Sequence, residues 1–247
     1  MIKKIFIIIL VALTLTGIIL FSQKKIDKNA LIVGTNAEYY PFTFIEDNEF
    51  KGFDIDIAKE VGKRLNKKIH IKDMPFETLI PEITLGNLHF AAAGLTYTDE
   101  KAKRVFFTKP YLTDDSLVIL TLGNAKNLEL KDLIGKKVVV NEGYTADLFV
   151  SKFNNLNIIR LNAPSDGFLA LQSNHAEAFV TAKSTLSSFI KNKNFEKFQF
   201  NEIENSSDHY SLVVSKKYPK MLVEIQKILD EMLTDGTIDK LKSKWNL

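Results

Sequence analysis

The chain has 247 residues, 45% hydrophobic and 26% charged, with a formal net charge of +3. That length can form one large core or two smaller ones, and the near balance of charge leaves no electrostatic footprint for nucleic acid. There is no cysteine, which excludes disulfides, thiolate metal sites, cysteine nucleophiles and a lipid-modified cysteine anchor.

Lys3 and Lys4 precede an uncharged apolar run from Ile5 to Phe21. A charged front followed by an apolar stretch is the pattern of a secretory signal. The run is long for a signal peptide and short for a spanning helix. Residues 1–22 are therefore read as a signal peptide or an uncleaved membrane anchor. The remainder is read as periplasmic, either free or held at the inner membrane.

From Ala30 onward, strand and helix patterns alternate. Leu31-Ile32-Val33 is a short β-branched run ending at Gly34. Phe44-Ile45 and Phe50 flank Glu46-Asp47-Asn48 as a small hairpin. Asp54 to Lys67 reads as a helix with Ile57, Ala58, Val61 and Leu65 on one face. Ile69 and Ile71 alternate with polar residues as in a half-buried strand. Glu77 to Leu85 reads as a helix closed by Gly86-Asn87, with Pro81 expected near its first turn, where a missing N–H costs nothing. Phe90 to Gly94 and Leu117 to Thr121 read as buried strands. Val138 to Val140 opens a strand–turn–helix unit through Asn141-Glu142-Gly143-Tyr144-Thr145. Ile158-Ile159, Phe168 to Leu171, Ala178 to Thr181 and Ser211 to Val214 continue the alternation. Leu222, Ile225, Leu229 and Met232 form a helical stripe. Asp235-Gly236-Thr237 ends that helix and caps the next, on which Ile238, Leu241 and Trp245 share a face.

Such alternation implies an α/β fold with largely parallel sheets, in which ligands sit beyond the carboxyl ends of strands. The loops after Thr35, Gly94 and Val140 are the places to look for a site.

Five ordered stretches carry a resemblance. They are Val33-Gly34-Thr35 with Tyr40-Pro41-Phe42; Gly52-Phe53-Asp54-Ile55-Asp56-Ile57-Ala58-Lys59-Glu60; Phe76 with Leu79-Ile80-Pro81; Ala93-Gly94-Leu95-Thr96 through Arg104 to Phe107-Thr108-Lys109-Pro110-Tyr111; and Asp235-Gly236-Thr237 through Lys244-Trp245. In this order they resemble the bacterial amino-acid-binding proteins of ABC transporters, with the type II periplasmic-binding fold. The stretch from about residue 112 to 234 matches more loosely. The resemblance implies an α/β, two-lobed protein, each lobe a mixed sheet flanked by helices, with two crossing strands as hinge. Residues 30–113 plus 212–247 would form lobe one and 117–207 lobe two. Thr113 to Leu117 and Asp208 to Leu212 would be the hinge segments. A small amino-acid-like ligand would be captured by hinge closure for the transporter's membrane subunits. No cofactor or metal is expected, and the protein is expected to be a monomer.

The resemblance also assigns candidate ligand-binding positions. Tyr39 and Phe76 would flank the ligand's side chain. Ala93 and Gly94 would present backbone groups, and Thr96 a hydroxyl. Tyr144 and Thr145 would stand at a helix start suited to a carboxylate. Each has a plainer alternative: core aromatics, an ordinary turn at Gly94, a simple N-cap at Thr145.

Three positions depart from the family pattern. Lys101 stands where an arginine usually grips the ligand carboxylate, and lysine lacks the two-bond fork. Asn36 stands near a position where relatives for basic amino acids carry aspartate. Ala182 stands where an aspartate holds the ligand's ammonium, so either another acid takes over or the ligand lacks a free amine. Glu142 and Glu38 are the nearest replacements by motif.

Two other functions fit the same fold. One is a membrane-anchored sensory module. The other is a cleft enzyme of the dehydratase type, which needs a positioned acid or base. None of His70, His89, His175 and His209 falls at a matched cleft position, and no phosphate-binding loop or nucleophile elbow is present.

Overall fold

The computed structural model describes residues 29–123, 127–189 and 195–247. The leader read in residues 1–22 lies outside the described residues. The chain divides into residues 1–30 and 31–247, and the fold is that of the second unit.

Its elements in chain order are β1 (Leu31–Thr35), β2 (Glu38–Tyr39), β3 (Thr43–Glu46), β4 (Glu49–Lys51), α1 (Phe53–Arg64), β5 (Ile69–Asp73), α2 (Phe76–Leu85), β6 (Phe90–Thr96), α3 (Asp99–Arg104), β7 (Phe106–Phe107), β8 (Leu112–Asp115), β9 (Leu117–Leu122), β10 (Lys137–Asn141), α4 (Thr145–Val150), β11 (Asn157–Leu161), α5 (Pro164–Gln172), β12 (Ala178–Ala182), β13 (Phe198–Glu202), β14 (Asp208–Val214), α6 (Pro219–Thr234) and α7 (Thr237–Trp245).

Two mixed sheets organise these strands. The first runs β5-β1-β6-β14-β7, with β8 also pairing β14, and the second runs β11-β10-β12-β9-β13. In the first, β1 lies between β5 and β6, and in the second, β10 lies between β11 and β12, each trio parallel: Val33 pairs with Ile71 and Phe90, and Val138 with Ile158 and Ala178. This arrangement brings the carboxyl ends of β1 and β6 side by side, and likewise those of β10 and β12. A third, three-stranded ribbon β2-β3-β4 follows β1. Its two-residue turn places Asp47 and Asn48 at φ 53° and 61°, the left-handed geometry that matches strand twist.

The period-2 pattern of the second sheet sorts its residues onto two faces. Leu117, Ile119, Val138, Val140, Ala178, Val180 and Ala182 pack on one side with Ala146 and Val150 of α4. Val118, Leu120, Val139 and Phe179 pack on the other with Phe168 and Leu171 of α5. Burial on both faces explains the unbroken apolar runs. The first sheet is covered in the same way by α1, α2 and α6, through Ile57, Val61, Leu79, Ile83, Ile225 and Leu229.

Helix α2 differs from the sequence expectation in one respect. It opens at Phe76, so Pro81 lies inside it rather than in its first turn. The proline lacks the N–H that would bond the Glu77 carbonyl. At the other end of the chain Asp235 closes α6, and its Oδ1 accepts from the Thr237 amide at 2.9 Å, linking that end to the first residue of α7, whose N-cap position is Gly236.

Two segments join the sheets. β8 runs on directly into β9, and β13 returns into β14. β8 and β14 are antiparallel partners, with Asp115 opposite Asp208 and Leu112 opposite Tyr210.

Candidate functional site

The matched residues gather at the carboxyl ends of β1, β6 and β10. Tyr39 sits in β2 and is buried. Its ring lies close to Gly94, which has φ +59°, and a Cβ there would stand 2.6 Å from the Tyr39 ring. Glycine is therefore needed at 94 both for its dihedral and for the approach of the ring. The Gly94 amide donates to Asp54 Oδ2 at 2.6 Å, and the Tyr111 hydroxyl donates to the same oxygen at 2.7 Å. Asp54 is fully buried in the first turn of α1, and its Oδ1 has no hydrogen-bond partner among the described residues. Desolvation pushes its carboxyl up to about 6, against the two donated hydrogen bonds.

The second sheet holds its loop in a parallel way. Asp147, in the first turn of α4, accepts from the Gly143 amide at 3.1 Å and pairs with Arg160 at 3.0 Å. That loop presents Tyr144 and Thr145. Tyr144 takes the N-cap position of the six-residue α4, and Thr145 is its first helical residue rather than the cap.

Tyr144 crosses to the first sheet. Its hydroxyl donates to Asn36 Oδ1 at 3.2 Å, and its ring packs on Tyr39 (centroids 5.3 Å, near perpendicular) and on Phe76 (4.4 Å). Tyr39 and Phe76, expected to flank a ligand, thus each lie against Tyr144. Asn36 is buried and also donates to the Met74 carbonyl at 3.3 Å. Burial first, and then the charges of Glu38 and Glu77, push the Tyr144 hydroxyl well above the ordinary tyrosine range, so it remains a donor.

Lys101 lies in α3, which Thr98 caps by accepting from the Lys101 amide at 3.2 Å. Its ammonium stands 5.9 Å from the centre of the Phe76 ring, at the outer limit of a cation–π contact. Burial lowers the affinity of Lys101 for its proton, and the charges of Asp208 and Glu100 oppose that. Arg104 is exposed but lines, with Lys101, Phe76 and Gly143, a cavity of about 250 Å³. A second cavity of about 300 Å³ lies against Asn36, Glu38, Asp73 and Phe76. Both stand at or below the small end of small-molecule pockets.

Thr96 ends β6 and donates to Asp208 Oδ1 at 2.7 Å. The Thr145 hydroxyl stands beside the same carboxylate and favours its charged form. Tyr210 donates to Asp115 Oδ2 at 2.8 Å, which leaves the Tyr39 hydroxyl, 2.9 Å away, to donate to Tyr210. Desolvation, with the charge of Asp115 adding to it, pushes Asp208 up to about 6. Ala93 is buried inside β6.

Four residues around this site were not singled out from the sequence: Asp54, Asp115, Asp208 and Tyr210. Asp208 and Asp115 lie in the segments read as hinges, and Asp54 in a matched stretch, but an acid at the start of a strand or helix ordinarily faces solvent. Glu38 and Glu142 are both exposed. Ala182 packs with Leu117, Val180 and Ala146 in an apolar cluster. His70 and His209 are exposed, His89 accepts from the Ile32 amide at 2.9 Å, and His175 bonds Ser173.

Two mixed sheets joined by two antiparallel segments, with polar residues of both meeting at strand ends, define a two-lobed protein of the type II periplasmic-binding fold. The sequence pattern of the bacterial extracellular solute-binding proteins, family 3, matches residues 31–247. The chain belongs to that family. It is 31% identical to a probable histidine-binding protein of Campylobacter jejuni, over 99% of each chain. An ancestral arginine-binding protein bound to arginine superposes with a TM-score of 0.82 at 33% identity, covering 88% of this chain and 98% of that one. An ancestral amino-acid-binding protein described as a precursor of cyclohexadienyl dehydratase superposes with a TM-score of 0.79 at 29% identity, covering 88% and 96%.

Proposed function

We propose that this protein captures an amino acid in the periplasm and delivers it to the membrane subunits of an ABC transporter, acting as a monomer and without catalysis. The observation that carries the reading is convergence across the two lobes. Tyr144 of the second sheet bonds Asn36 of the first, and Asp208, which accepts from Thr96 of the first, has Thr145 of the second beside it. A ligand held by groups from both lobes favours the closed arrangement through its differential contacts. Residues 30–113 plus 212–247 form one lobe and 117–207 the other, with β8–β9 and β13–β14 as the flexing connections. The ligand's carboxylate meets Lys101 and its side chain lies against Phe76 and Tyr39. The names of the relatives support an amino acid as the ligand. Those names, of amino-acid-binding proteins, also support a binding role over a dehydratase.

A thermal-shift series with L-arginine, L-histidine and L-glutamine tests the proposal. A ligand at a hundredfold excess over its Kd stabilises by about 2.7 kcal/mol. A rise in Tm with at least one of them is expected, and no rise with any of the three would overturn the reading.

A further inference from the structure

Asp208 accepts from the Thr96 hydroxyl of the first lobe at 2.7 Å, with Thr145 of the second lobe beside it, and it has a second carboxylate, Asp115, directly opposite it in the β8–β14 pair. Asp208 is 4% exposed. Among the described residues, the groups that hydrogen-bond these two acids are all neutral. Thr96 serves Asp208, with Thr145 beside it and the Tyr210 oxygen 3.4 Å away, while Tyr210, the Ser184 amide and the Ser184 hydroxyl serve Asp115. Lys101 forms an ion pair with neither. A buried carboxylate is costly unless a cation pairs with it, and a second acid beside it raises that cost. The hydroxyls orient Asp208 without neutralising it.

The second sheet has no comparable acid at the end of β12, where Ala182 is packed among apolar side chains. The negative charge facing Thr96 and Thr145 therefore comes from the connecting strand β14. A primary ammonium has three donors, enough to bond a carboxylate and two hydroxyl oxygens at once.

We infer that Asp208 is the residue that binds the ligand's ammonium group, with the Thr96 and Thr145 hydroxyls completing the contact, so that the protein selects amines over otherwise identical acids. This rests on the amino-acid reading above and names the group that makes the choice. Because β14 is one of the two segments joining the lobes, binding there also ties occupancy to the connection that flexes on closure.

Calorimetric titration of the full-length protein with L-arginine, L-histidine and L-glutamine, each beside its deaminated acid, tests the inference. Wild-type protein is expected to bind at least one amino acid at least tenfold more tightly than the matching deaminated acid. Asp208→Asn should cut the affinity for that amino acid at least tenfold and leave the deaminated acid within about threefold of wild type. An amine preference unchanged in Asp208→Asn, or an equal loss for both compounds, overturns the assignment while leaving the amino-acid reading standing. Wild-type protein that binds none of the three overturns both. If Asp208→Asn does not fold by circular dichroism, Asp208→Glu carries the test. A displaced carboxylate should then lower the amine preference at least threefold, and an unchanged preference overturns the assignment.

Discussion

The Gly94 amide donates a 2.6 Å hydrogen bond to the buried carboxylate of Asp54, forty residues earlier in the chain. The bond fixes the carboxyl end of β6 against the first turn of α1, at the point where the Tyr39 ring lies on Gly94. Asp54→Ala leaves the Gly94 amide and the Tyr111 hydroxyl without their acceptor. Each orphaned buried donor costs about 1–3 kcal/mol. A loss on the order of 3 kcal/mol in urea unfolding is expected, and a loss below about 1 kcal/mol would mean that water or another acceptor takes the place of Asp54.

Gly94→Ala should damage the same place from the other side. The added Cβ would meet Tyr39 at 2.6 Å on a backbone with positive φ. Strain and displacement together should cost about 2–4 kcal/mol. Because Tyr39 must move, ligand affinity should fall as well. Unchanged affinity would show that the position of Tyr39 does not matter for binding.

Lys101→Ala removes the cation facing the cleft. If its ammonium meets the ligand's carboxylate, affinity should fall by about 1.5–3 kcal/mol in calorimetry. Unchanged affinity would place the lysine outside the site. Lys101→Arg restores a two-bond fork and should retain or improve binding.

Tyr144→Thr should alter which ligands bind. The wild-type ring covers faces of both Tyr39 and Phe76. Its removal frees two aromatic surfaces, on which the flat guanidinium of arginine can stack. Arginine should gain affinity relative to glutamine, while the unfolding free energy falls by about 1–3 kcal/mol from the lost aromatic contacts. A fall in affinity for both would instead show that the Tyr144 ring contacts the ligand.

The acids at 54 and 208 give a pH signature. Both are pushed up from 3.8 to about 6. Between about pH 4 and 6 the folded protein keeps protons that the unfolded chain has released, so these groups lower stability as pH rises through that window. Their effect is level above it. His89, lowered by burial, works in the opposite direction, so a difference measurement is needed. Asp208→Asn, neutral at every pH, should gain stability relative to wild type between pH 4.5 and 7, by on the order of 1–2 kcal/mol. A pH-independent difference would show that Asp208 titrates normally.

The sequence by itself determined the alternation of elements, the sides of the strands and the loops that matter. Period-2 burial separates Val138 and Val140 from Val139, and the loops after Thr35, Gly94 and Val140 do meet at the strand ends. These features follow from local periodicity and from the rule that parallel strands present their carboxyl ends together. Pro81 was misplaced: it is the sixth residue of a helix that opens at Phe76, past the first turn, and the helix tolerates its missing N–H.

Only the tertiary structure decided the polar contacts of the cleft. Whether an aspartate is solvated or buried depends on neighbours far away in sequence: Asp208 is placed by Thr96, 112 residues distant, and Asp54 by Gly94 and Tyr111. The same holds for Tyr144, whose packing on Tyr39 and Phe76 comes from the second lobe lying over the first. Burial of a charge is a property of the assembled sheets and not of any one segment, so the family resemblance could name Ala182 as lacking an acid, but no local pattern singled out Asp208.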